Sequence, residues 1–112
     1  MDPERRTRSF PVPVRHIPNP DREPPARHDL EARLREHTSD GLRWWTTTPG
    51  EVFAPHTHDR RKVLFLAEGS ITFHGDGADL PLAPGDRIEV EPGTVHGATT
   101  GSSGATCVEA WA

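Results

Sequence analysis

The chain has 112 residues, enough for one domain and too few for two. Apolar residues make up 32%, so the core must be thin, which favours strands that each bury alternate residues over thick packed layers. A net charge of −4 offers no basic field for a phosphate backbone, and no apolar run nears the roughly 20 residues of a membrane span, so neither nucleic acid nor membrane is an expected partner.

Residues 1–25 read as an arm. They hold Pro3, Pro11, Pro13, Pro18, Pro20, Pro24 and Pro25 and no glycine, which makes them extended or disordered. Phe10, Val12 and Val14 alternate with Pro11, Pro13 and Arg15, a period that fits an edge strand; a solvated leader is the other reading. No apolar stretch follows Met1-Asp2-Pro3-Glu4, so a secretory signal is not expected. Cys107 is the single cysteine and cannot form an internal disulfide, in keeping with a reducing, cytoplasmic setting.

Residues 26–40 read as a short surface helix and a turn. Leu30 and Leu34 sit four apart, Glu31 precedes Arg35 by four, and Asp40-Gly41 ends the segment. Residues 41–112 change to strands and tight turns, predicting an all-β fold of about eight strands in a sandwich or barrel. Expected strands run over 42–48 and 52–58, and then over 63–67, where Val-Leu-Phe-Leu-Ala predicts burial on both faces. Glu68-Gly69-Ser70 reads as a turn before a strand at 71–74, and Gly75-Asp76-Gly77 as a hairpin turn before 78–82. Ile88 and Val90 alternate with Arg87, Glu89 and Glu91, predicting a strand with the isoleucine and valine inward. Strands at 95–99 and 105–111, separated by a flexible loop at 101–104, complete the chain.

His56 and His58 are two apart and so would share one face of a strand, close enough to hold one metal ion. His96, after the Pro92-Gly93 turn, is the third candidate ligand. The alternative is a set of structural histidines in a polar cavity. The spacing is then specific. Gly50, five residues, His56-Thr57-His58, three residues, Lys62, six residues, Gly69 resembles the first motif of the cupin superfamily. Gly85, five residues, Glu91-Pro92-Gly93, two residues, His96, three residues, Thr100 is similar to its second motif. The resemblance covers about residues 42–111. It implies a double-stranded β-helix, or jelly-roll, barrel, often a homodimer, with His56, His58 and His96 as metal ligands at its mouth. The ion would be a divalent metal such as Zn, Fe, Ni or Mn.

Three positions depart from the family pattern. Lys62 stands where the family has a glutamate ligand, Glu91 where it has proline, and Thr100 where it has asparagine. A lysine ammonium has donors only and cannot ligate while charged, so the expected site has three histidines and open positions. Lys62, the only lysine, is the candidate catalytic residue, as a base, a Schiff-base former or an anion anchor; a rim lysine is the plainer reading. Strand parity sets Glu91 outward, where it cannot offset Lys62. His74, His16, His28 and His37 are expected to be solvated, and Cys107 to be a small buried apolar residue. One of Trp44 and Trp45 must point outward, as dimer glue or under the arm. The expected activity is oxidation or isomerisation of a small organic acid in the cavity; a non-catalytic ligand-binding cupin is the alternative.

Overall fold

The computed structural model describes residues 13–112. The proposed alternation of Phe10 and Val12 lies outside them, but Val14–Ile17 forms β1, an edge strand paired antiparallel with β6 (Arg87–Val90), Val14 opposite Val90. The remaining elements are α1 (Arg27–Arg35), β2 (Asp40–Thr47), β3 (Val52–His56), β4 (Lys62–Gly75), β5 (Ala78–Leu82) and β7 (His96–Trp111). No described helix is long and apolar enough to cross a membrane.

Two long strands organise everything. β4 and β7 pair along their whole length and bend together midway, so the single antiparallel sheet folds into two halves. The larger half has the order β1-β6-β4-β7-β2, using Lys62–Leu66 and Ala105–Trp111. The smaller half sets β5 and β3 on the outer sides of Ile71–Gly75 and His96–Thr99.

The bend corrects two sequence expectations. The segments around Glu68-Gly69-Ser70 and Gly101–Gly104 are irregularities within continuous strands, not a turn and a loop, so the eight strands expected over 41–112 become six, β2–β7, to which β1 adds a seventh. The ladder survives because Gly69 and Gly104 both take positive φ (82° and 77°); a Cβ on Gly69 would lie 2.0 Å from the Gly104 carbonyl oxygen. The expected closed barrel is also corrected. β3 pairs only with β7 and β5 only with β4, so hydrogen bonding among the described residues leaves the barrel open. Residues 48–51 and 83–86 carry the chain between the halves at these edges without a ladder.

One apolar cluster fills the space between the halves, with Leu64 and Leu66 of β4, Phe73, Leu82, Ile88, Val90, Ala98 and Cys107. The opposite parity of the same strands, Val63, Phe65, Ala67, Val108 and Ala110, is covered on the outside by Leu30 and Leu34 of α1. The Val-Leu-Phe-Leu-Ala run is thus buried on both faces, as its continuous apolar character predicted. Trp44 is the outward tryptophan and packs against this outer cluster under α1. Its indole donates to Glu31 at 2.6 Å, and the Arg27 guanidinium lies 4.8 Å above its ring, so the helix covers it. Trp45 faces inward and meets Phe53 edge-on at 5.8 Å.

Candidate metal centre

His56 closes β3, directly opposite His96, the first residue of β7. His58 follows two residues later, and its backbone carbonyl accepts the Gly93 N–H at 2.8 Å, which fastens the two motif loops to each other. The three rings meet. Their centroids lie 4.5 Å (His56–His96), 4.8 Å (His56–His58) and 5.0 Å (His58–His96) apart, and one nitrogen of each falls within 4.8 Å of the others.

Hydrogen bonds aim two of the rings. His56 Nδ1 donates to the Ala54 carbonyl at 2.7 Å and His96 Nδ1 to the Thr94 carbonyl at 2.9 Å, which leaves each Nε2 as the lone-pair nitrogen. His96 is buried, and the Nε2 atoms of His58 and His96 are both buried without a hydrogen-bond partner. Such orphaned nitrogens are costly unless something accepts their lone pairs, and a divalent ion would. Burial, then the charge of Lys62 and the neighbouring imidazoles, pushes the His58 ring down to about 4. Burial likewise lowers His96, against the bond to Thr94. Both are neutral near pH 7, the form that binds metal.

The cavity in front of the cluster is about 270 Å³ and is walled by Trp45, Phe53 and Phe73, with Lys62, Glu109, Arg43 and Glu51 as its charged groups. Lys62 is nearly buried, and its ammonium lies 3.0 Å from a Glu109 oxygen. Glu109, 1% exposed, also accepts from the Trp45 indole and from Arg43 Nε, each at 2.9 Å. Burial pushes its carboxyl up, but Lys62 and Arg43 outweigh that and hold it below the usual range. Lys62 is therefore one half of a buried ion pair, not a rim lysine. Trp111 closes this end, edge-on to His58 at 5.0 Å, and packs so tightly on Gly41 that a Cβ there would lie 2.5 Å from its ring.

Sequence reasoning missed Glu109. The signal was present: it is the only carboxylate after Glu91, and it shares the inward parity of Cys107. Glu91 does face outward and binds Arg61, as parity required, while Glu89, also outward, is buried among Arg61, Arg87 and Arg15. Three histidines expected in solvent have partners instead. His16 bonds Asp86 at 2.8 Å, His37 bonds Arg87 at 3.0 Å, and His74 bridges Asp79 and Thr99 at 2.7 and 2.8 Å. His28 stays exposed. Cys107 is fully buried, and burial pushes its thiol up to about 12, so it is no nucleophile.

A folded-over antiparallel sheet carrying a histidine cluster at the mouth of its cavity defines a class of small β proteins. The family model for the cupin domain matches residues 43–110, and the chain belongs to that family. Among curated proteins no match to the sequence is found. Solved structures agree on the fold. A cupin superfamily protein from Desulfitobacterium hafniense is 16% identical with a TM-score of 0.56, over 64% of this chain and 67% of that one. KdgF from Halomonas sp. is 23% identical with a TM-score of 0.56, over 64% and 68% of the two chains. The DMSP lyase DddQ from Ruegeria pomeroyi is 24% identical with a TM-score of 0.58, over 65% of this chain but 39% of the lyase.

Proposed function

We propose that this cupin holds one divalent metal ion on His56, His58 and His96 and uses it to bind, and in the fuller reading to transform, a small organic molecule in the adjoining cavity. The observation that carries the proposal is the pair of buried, unpartnered Nε2 atoms on His58 and His96, facing the ring of His56. A divalent ion there would polarise a substrate oxygen and leave positions open for it. The chain's own residues supply the rest. Trp45, Phe53 and Phe73 exclude water from one side of the cavity. Glu109 takes one donor of the Lys62 ammonium, and its remaining donors are available to an oxygen of the bound molecule. Lys62 thus serves as an anion anchor. As the charged member of an ion pair it is poorly suited to the Schiff-base role, which needs a free amine. The family and the few charged groups set in a mainly apolar cavity support an oxygenase- or isomerase-type reaction on a small organic acid.

A second reading keeps the cavity and drops the firmly held metal. Lys62 favours it, since the position that resembles the family's fourth ligand holds a cation. Elemental analysis of the protein purified without a histidine tag separates the two. Metal approaching one ion per chain, lost in His56→Ala, supports the first reading; metal that stays low even after soaking supports the second.

A further inference from the structure

The charged groups of the cavity are not equally committed. Glu109 is saturated by Lys62, Trp45 and Arg43. Glu51 is held by Thr47 and Thr48, which donate to one of its oxygens from three groups at 2.6–3.1 Å. Arg43 differs. It lines the same cavity, its Nε is anchored on Glu109, and its side chain is 69% exposed. Among the described residues its two terminal nitrogens have no hydrogen-bond partner. A guanidinium fixed at Nε and open at both Nη atoms presents the fork that matches a carboxylate.

We infer that Arg43 is the specificity-determining residue of the cavity, and that the ligand is a small organic acid with an oxygen function toward the histidine cluster and a separate carboxylate toward Arg43. This rests on the metal-site reading above. The charges explain why an anion is selected. Lys62 and Arg43 are offset by Glu109 and Glu51, so the side chains are balanced among themselves. A divalent ion on neutral imidazoles adds uncompensated positive charge, which a carboxylate ligand neutralises. Arg43 then decides where the anion sits. It does so from the open mouth, where a long side chain on strand β2 reaches over the cavity that Trp45, its inward neighbour, walls.

The probe is succinic monohydroxamic acid, whose hydroxamate takes a metal and whose carboxylate is free, compared with the analogue in which that carboxylate is a neutral amide. Both are titrated calorimetrically into the zinc-loaded full chain. The wild type is expected to prefer the acid by about tenfold or more, the scale of a charge-assisted hydrogen bond. Arg43→Gln should cut the preference about tenfold, leaving only what Lys62 and the ion contribute, while zinc content and affinity for the amide stay unchanged; Arg43→Lys should keep part of it. A preference that stays at the wild-type level in Arg43→Gln overturns the inference, and so does an equal loss for acid and amide, which would mark Arg43 as a merely structural residue. Failure of the metal reading looks different: the wild-type chain takes up no zinc and binds neither compound.

Discussion

Lys62 and Glu109 set the character of this site. A cation at the position resembling the family's glutamate ligand would leave an isolated ammonium beside a metal, but here a carboxylate two residues before Trp111 pairs with it across β4 and β7. Removing one partner of such a pair leaves an uncompensated buried charge. Glu109→Gln is therefore expected to cost about 3–5 kcal/mol in denaturant unfolding; a change below about 1 kcal/mol would mean that the pair is solvated and weak. Lys62→Glu faces Glu109 with a second carboxylate. It should lower the stability of the metal-free chain and raise its zinc affinity, because a cation relieves the repulsion. Calorimetric titration of apo protein checks this, and unchanged affinity would place residue 62 outside the coordination sphere. The three histidines were legible because the two motif loops have fixed lengths; His58 lies beyond the end of β3, so strand parity alone does not set it beside His56. Glu109 was not, since cross-strand register decides its partners and register is invisible in a single strand.

At the level of elements, residue type and turn spacing predicted β2, β3 and β5, alternation predicted β6, and a continuous apolar run predicted the burial of 63–67. It misplaced the bend. Glycine-containing segments at 68–70 and 101–104 look like turns in one dimension, and only their mutual pairing makes them a double irregularity in continuous strands. The same blindness affected the amino-terminal segment. His16 looked solvated, yet the buried Asp86 accepts from His16, the Asn19 N–H and the Ala83 N–H, so one carboxylate pins the chain after β1 to the loop before β6. Burial raises the Asp86 carboxyl, but these hydrogen bonds outweigh it and hold it below the ordinary 3.8. A depressed carboxyl contributes stability above its unfolded value, and that contribution is lost as pH falls through the folded value. Asp86→Asn should thus be less stable at pH 7 and show a shallower loss of stability below about pH 4, followed by thermal melting across pH. An unchanged acid limb would show that Asp86 does not contribute there.

For the whole molecule, the division of labour follows the two faces of the larger half-sheet. Its outer face is closed by α1 through Leu30 and Leu34, both 0% exposed, so the inner face can give up apolar contacts and hold a polar cavity at one end. The predicted fold class was all-β with a short helix, and both were found. The closed barrel was not, because continuity around the ring depends on whether edge strands meet, which no local pattern encodes. The outward tryptophan, expected at a dimer contact or under the arm, packs within the chain beneath the helix. What remains central is the convergence of three imidazoles on one point. Anomalous diffraction from zinc-soaked crystals tests this most directly. The account predicts one strong peak within bonding distance of nitrogens from His56, His58 and His96. Density that shows those rings turned apart, or zinc bound only elsewhere, such as at His74 and Asp79, would contradict it.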